Sequence, residues 1–207
     1  MIGIFGGTFD PIHYGHLRSA LEVKEIFNLT QVRLIPSAQP PHRLQPLASA
    51  ALRLQMLELA ISNQTGLVAD DRELKRVGQS YMIDTLQSLR HDFPQQSLVL
   101  FMGSDAFNTL TSWHCWQDLF TYAHIVVLTR PGFVIQALDD FFATRLTTQK
   151  QILAAHKAGK LLFQSVTQLD ISATAIRRCI AEGKNPGFLL PDVVITTIKQ
   201  NQLYQIN

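Results

Sequence analysis

The sequence predicts an α/β fold: a doubly wound, mostly parallel sheet with helices on both faces and a helical C-terminal extension. Three observations predict it. Short, largely apolar runs at residues 2–5, 97–102 and 124–129 read as strands buried on both sides, with a late strand at 161–166. Amphipathic stretches with helical spacing alternate with them, and alternating β and α means parallel strands joined by covering helices. Finally, Gly6-Gly7, Pro36, Gly103-Ser104-Asp105 and Arg130 all fall at the carboxyl ends of expected strands, where open parallel sheets bind their ligands. A Rossmann-like core over about residues 1–165 and an extension over about 166–207, making a single domain, is the expected layout.

Residues 2–5 form the first expected strand, which Gly6-Gly7 ends in a turn that tolerates positive φ. Residues 16–27 read as a helix with Leu17, Ala20, Leu21 and Phe27 on one side, although Lys24 interrupts that stripe. A second strand spans 31–36, followed by a proline-rich loop and a helix over about 50–61 with Leu52, Met56, Leu59 and Ala60 in register. Residues 66–74 read as loop plus a third strand. Residues 81–93 form a helix with Met82, Leu86, Leu89 and Phe93 in line, closed by Pro94. After the strand at 97–102, helical turns fill 105–120, and 124–129 is a further buried strand. Residues 133–160 carry the weakest pattern, with one or two helices expected. The strand at 161–166 precedes a helix over 172–182, capped by Ser172 and stopped by Gly183. A last helix covers 191–200, with Pro191 in its first turn.

Composition narrows the function classes. The chain has 207 residues, 46% hydrophobic and 16% charged, which fits an ordinary globular protein rather than a disordered or fibrous one. A net charge of +2 is too mild to argue for a nucleic acid or membrane partner, and a small phosphate ligand would suit it equally well. No apolar run approaches the ~18–20 residues of a membrane span, and the apolar start is short and lacks a basic leader. Cys115 and Cys179 are far apart and form no C-x-x-C, so both are expected as free thiols in a reducing compartment. A cytoplasmic protein follows from these expectations, with a homo-oligomer left open.

The chemistry concentrates at the first turn, Gly6-Gly7-Thr8-Phe9-Asp10-Pro11-Ile12-His13-Tyr14-Gly15-His16. A strand, a bare glycine backbone and a helix start together offer N–H groups and a helix dipole to an anion. Two imidazoles there could follow charge on a phosphate during reaction. Neither common phosphate loop is present: the glycines do not continue as G-x-G-x-x-G, and Gly183-Lys184 is followed by Asn185 rather than Ser or Thr. Zinc binding is a competing reading, but it needs three or four ligands, no cysteine is near, and His42 alone offers a third.

The whole string, beyond its H-x-G-H, closely resembles the signature of the HxGH nucleotidyltransferases, and specifically the nicotinate mononucleotide adenylyltransferase family. Ile171-Ser172-Ala173-Thr174-Ala175-Ile176-Arg177 is similar to the same family's ISxTxxR element, although plain helix capping would also account for Ser172. The resemblance implies transfer of AMP from ATP to nicotinate mononucleotide, with Mg²⁺ carried on ATP and no protein metal site. It implies that Gly6, Gly7, Thr8, Phe9, His13, His16, Arg43, Asp105, Ser172, Thr174 and Arg177 bind ATP, and that His13, His16 and Arg177 are catalytic. Arg178 follows directly, and the motif register selects Arg177. Ser80, Tyr81, Met82, Trp113 and Arg130 are implied on the pyridine nucleotide side. Met82 stands where the family has threonine, which weakens the expected preference for the acid over the amide; Met82 also fits the apolar stripe of its helix. Trp116 reads as core, and the ending from Leu189 to Tyr204 as structural. Nicotinamide mononucleotide or another phosphate such as phosphopantetheine is the alternative acceptor. A nucleotide sensor without turnover is the non-enzyme alternative, opposed by the intact His13, His16 and Arg177.

Overall fold

A computed structural model describes residues 1–39, 45–130, 133, 137–167 and 169–205. Its strands are β1 (Ile2–Gly7), β2 (Gln31–Pro36), β3 (Leu67–Ala69), β4 (Leu98–Gly103), β5 (His124–Thr129) and β6 (Leu161–Ser165). They form one sheet in the order β3-β2-β1-β4-β5-β6, and every pairing is parallel. The chain therefore winds outward from β1 to β3, then returns to the other side of β1 as β4. This reversal opens a crevice beyond the carboxyl ends of β1 and β4, the usual ligand position in such sheets.

The helices are α1 (Tyr14–Ile26), α2 (Ala50–Ile61), α3 (Met82–Asp92), α4 (Ser104–Asn108), α5 (Leu119–Tyr122), α6 (Asp140–Ala143), α7 (Gln151–Ala155), α8 (Ala173–Ala181) and α9 (Asp192–Gln200). Strand alternation distributes side chains to two cores. Val99, Phe101, Val126 and Leu128 pack with Ala20 and Val23 of α1, Met56 and Leu57 of α2, Ile176 of α8, and Val194 and Ile198 of α9. Leu98, Leu100, Ile125 and Val127 pack on the other face with Ile83, Leu86 and Leu89 of α3 and with Phe120 and Phe142. Gly3 shows how close the first layer lies: a Cβ there would sit 2.8 Å from Leu29 Cδ1.

Most expected elements occur, with informative differences. α1 begins at Tyr14, so both histidines belong to its start rather than only His16. Lys24 lies within the α1 stripe because its stem crosses Gly66, whose φ is +83°. On α2 the buried side chains are Arg53, Met56, Leu57 and Ile61, while Leu59 is exposed. The apolar stripe misjudged that face because a buried arginine, bonded to main-chain carbonyls, occupies it. Pro191 is the cap residue of α9 and lies just before its first turn. Among its described residues, the weakly patterned region holds two short helices, α6 and α7. Trp116 is half-buried and packs against Phe141 and Phe142 at the edge of the second core rather than within it. Both cysteines are free. No described helix is long and apolar enough to cross a membrane.

Candidate active site

The glycine pair acts through space and not through a turn. Gly6 and Gly7 are strand residues opposite Ile35 and Pro36, and neither has positive φ. A Cβ on Gly6 would lie 2.6 Å from Met82 Cε, and one on Gly7 would lie 2.8 Å from the Phe9 ring. The left-handed residue of this segment is Phe9, with φ of +48°. Its ring meets the His16 ring edge-on, with centroids 5.1 Å apart.

His13 is the cap residue of α1, in extended backbone, and its carbonyl accepts from the N–H groups of His16 and Leu17. The His13 and His16 rings stack with centroids 3.7 Å apart. Gly15 separates them in sequence for a steric reason: a Cβ there would press within 3.0 Å of His13 Nδ1 and Cε1. His13 is buried, and its Nδ1 has no hydrogen-bond partner among the described residues. Desolvation lowers its pKa to about 4, so it is neutral at neutral pH. A neutral imidazole with an unused ring nitrogen can still engage a phosphate oxygen through one N–H.

α8 brings the second motif to the same place. Ser172 Oγ caps it by accepting from the Ala175 N–H at 3.1 Å. The Ile171 carbonyl lies 3.4 Å from an ideal Gly15 Cβ, so this helix start adjoins the start of α1. Arg177 Nη1 donates to the Asp10 carbonyl at 2.7 Å, and Nη2 donates to Thr174 Oγ1 at 3.3 Å. Arg178 is exposed, so the motif register selected the arginine that turns toward the histidine loop. Arg43 lies outside the described residues.

Two residues of this assembly received no role from sequence. Asp10 Oδ2 accepts from the Leu47 N–H at 2.9 Å, and Oδ1 accepts from the Ala48 N–H at 3.1 Å and the Tyr204 hydroxyl at 2.7 Å. Arg53 donates to the Thr8 carbonyl at 2.7 Å and to the Ala48 carbonyl at 3.3 Å. Burial lowers the Arg53 pKa while Asp10 and Tyr204 oppose that shift. Arg53 shares α2 with Gln55 and Glu58, so its charge alone did not mark it as buried, and the Asp10 contacts span too much sequence to leave a local signal.

The crevice's other side is built by the segment leading into α3. Ser80 Oγ accepts from the N–H groups of Ala38 at 2.9 Å and Gln39 at 3.2 Å, while the Ser80 N–H donates to the Gln39 carbonyl. Ser80 thus ties this segment to the chain leaving β2. Buried Glu73 receives the Thr85 hydroxyl at 2.6 Å, and desolvation raises its pKa. Tyr81 packs its ring on His114, with centroids 4.5 Å apart. Met82 reaches back over Gly6 from the first turn of α3. Trp113 is half-buried against the α3-side core. Asp105 is exposed in the first turn of α4, directly after β4. Arg130, at the end of β5, is exposed and lies 3.6 Å from the Asp170 carboxylate. Among the described residues, no group of three or more His, Cys, Asp or Glu side chains could hold a metal ion.

Comparison with known proteins identifies the family and the fold. The cytidylyltransferase-like family profile matches residues 4–179. A Methylococcus capsulatus protein named a probable nicotinate-nucleotide adenylyltransferase is 49% identical, with 99% of each chain covered. An Aeromonas salmonicida protein of the same name is 43% identical over 99% of this chain and 97% of its own. Among solved structures, the Plasmodium falciparum nicotinic acid mononucleotide adenylyltransferase complexed with NaAD superposes with a TM-score of 0.76 at 18% identity, covering 100% of this chain and 98% of that one. The chain belongs to the cytidylyltransferase-like family, and within it to the nicotinate-nucleotide adenylyltransferases.

Proposed function

We propose that the protein transfers AMP from ATP to nicotinate mononucleotide, giving deamido-NAD and pyrophosphate, as a step of NAD biosynthesis. The observation that carries this reading is the convergence of the two motifs: the stacked His13–His16 pair and the Arg177 guanidinium share one loop through Asp10. The curated relatives' names supply the acceptor.

In this reading a 5′-phosphate oxygen of the acceptor attacks the α-phosphorus of ATP in line. The new P–O bond forms as the bond to the bridging oxygen of the leaving pyrophosphate breaks. The attacking oxygen is already anionic, so no general base is required, and catalysis rests on positioning and charge stabilisation. His13 and His16 contact the α- and β-phosphates as charge moves toward the leaving group. Ser172, Thr174, Arg177 and Arg43 hold the pyrophosphate. Gly6, Gly7, Thr8 and Phe9 shape the floor under the triphosphate, and Asp105 accepts from a ribose hydroxyl. Mg²⁺ arrives on ATP as part of that substrate. Trp113 stacks on the pyridine ring. Met82 offers its backbone N–H at the start of α3, where the helix dipole favours a carboxylate, and Tyr81, whose own N–H goes to the Gln79 carbonyl, lines the acceptor side with its ring. Ser80 holds this segment in place through its own hydrogen bonds, and Arg130 serves the rim. The chain works as one unit, with about residues 166–207 as an extension of the core.

Nicotinamide mononucleotide is the second acceptor to consider, because Met82 lies over Gly6 and brings no hydroxyl to the ring substituent. Pyrophosphate release from ATP, measured in parallel with nicotinate mononucleotide, nicotinamide mononucleotide and phosphopantetheine, tests the reading. Preferred turnover of the first is expected. Equal rates with the first two would remove the acid preference, and no release with any of them would overturn the enzyme assignment.

A further inference from the structure

We propose that Tyr204 is a positioning residue for the triphosphate side of the reaction: from the far end of the chain it fixes Asp10 and, through Asp10, Arg177 and the segment entering α2. This rests on the adenylyltransferase reading above.

The Tyr204 hydroxyl donates to Asp10 Oδ1 at 2.7 Å across 194 residues of sequence, in a buried contact. Burial and the neighbouring Asp10 push the phenol's pKa up, so it remains a donor throughout the working range. The backbone bends sharply to deliver it: Gln202 and Tyr204 both have positive φ, at +52° and +65°. Non-glycine residues hold such conformations when their surroundings fix them.

The recipient is not a passive carboxylate. Asp10 lies three residues before His13, and its side chain accepts from the N–H groups of Leu47 and Ala48 as well as from Tyr204. Its carbonyl receives Arg177 Nη1, and the same nitrogen lies 3.9 Å from Asp10 Oδ2. Arg53 completes the frame, joining the Thr8 carbonyl to that of Ala48. The histidine loop, the entry to α2 and the α8 arginine therefore meet at Asp10, and Tyr204 supplies its hydroxyl donor. Without that hydroxyl the carboxylate is held by the Leu47 and Ala48 N–H groups alone, so the charge that faces Arg177 at 3.9 Å and anchors the 47–48 backbone is less firmly placed, while the Arg177 bond to the Asp10 carbonyl remains. The pyridine side, held by the Ser80 and Glu73 contacts, shares none of these bonds.

The test uses the full chain carrying Tyr204→Phe, which keeps the ring and deletes the donor. Steady-state KM is measured for each substrate, and affinity for a non-hydrolysable ATP analogue is measured by calorimetry. Removing one hydrogen bond to a buried carboxylate should weaken ATP and analogue binding about tenfold while leaving the KM for nicotinate mononucleotide within about twofold of wild type. Ile198→Val in α9 is the control, because it trims the same core without touching Asp10. It should lower thermal stability at least as much as Tyr204→Phe and leave ATP affinity unchanged. Unaltered analogue affinity in Tyr204→Phe would overturn the inference, as would an equal loss in Ile198→Val. A wild-type protein that binds the analogue but adenylylates no acceptor would defeat the functional reading alone, since the analogue affinities still decide the role of Tyr204.

Discussion

At the scale of single residues, burial sets the chemistry of the histidine pair. His13 has a pKa near 4 when folded and 6.5 when exposed, because water is withheld from its charged form. Above pH 6.5 both states are neutral and the shift has no effect on stability. As pH falls from 6.5 toward 4, the unfolded chain takes up a proton that the folded chain refuses, so stability declines. His124 shifts in the same direction because burial withholds water from its charged form, while the Nε2 proton it donates to the His156 carbonyl opposes the shift. Urea unfolding at about pH 7 and about pH 4.5 should show His13→Gln losing about 2–3 kcal/mol less than wild type between the two conditions. An identical loss would mean that His13 is not the desolvated group. His16 is tested through rate: His16→Ala should lower kcat by roughly 10²–10³, the usual loss for one transition-state donor, and a near-normal kcat would refute its role. Sequence made this pair legible because both residues lie in one short motif. It could not show Asp10 as the meeting point, because the Leu47, Ala48, Arg177 and Tyr204 contacts are distant along the chain. Ser80 was legible as part of the acceptor segment, but the direction of its hydroxyl, toward Ala38 and Gln39, depends on the packing of two loops.

At the scale of elements, local signals located the strands and the helix ends. The strand His124–Thr129 has the expected bounds because apolar or β-branched residues run unbroken from Ile125 to Thr129 and stop at Arg130. The bounds of α2 follow from Ser49, which caps it by accepting from the Leu52 N–H. Its buried face did not follow, because hydrophobic spacing cannot foresee an arginine that reaches inward to main-chain carbonyls. Gly6 and Gly7 show the same limit from the other side. A glycine pair suggests a turn, yet here both sit in the strand and leave room for Met82 and Phe9. Gly183 is the case where conformation itself requires glycine. It ends α8 with φ of +68°, and nothing lies within 4 Å of where a Cβ would be. Gly183→Ala therefore isolates the backbone effect and should cost about 1 kcal/mol by the strain of a left-handed alanine. Thermal unfolding checks this, and kcat should be unaffected because Ser172 and Thr174 stand at the other end of the helix and Arg177 at its middle, more than a turn before Gly183. A cost near zero would show that the helix end relaxes.

At the scale of the whole molecule, the winding of the sheet decides which distant segments meet. Placing β1 centrally and reversing direction between β1 and β4 puts the first turn of the chain at the head of the crevice. The returning C-terminal helices then cover the face that α1 and α2 begin, with α9 packing on α2. Alternation of apolar runs made the doubly wound class legible, whereas the docking of α8 and α9 depended on side chains from every layer. That docking makes a prediction about the extension. Val194 and Ile198 are fully or almost fully buried in the first core, and Tyr204 is buried beside them. Each such side chain contributes about 1.5–3 kcal/mol on burial, so removing all three costs roughly 5–9 kcal/mol, comparable to the ~5–15 kcal/mol that holds a typical domain together. A chain ending after Leu190 should therefore show no cooperative unfolding transition by circular dichroism. A chain ending after Leu203 retains Val194 and Ile198, so it should fold with reduced stability while lacking the hydroxyl that fixes Asp10. Cooperative unfolding of the shorter chain at near wild-type midpoint would show instead that residues 191–207 are an appendage to a core that is complete without them.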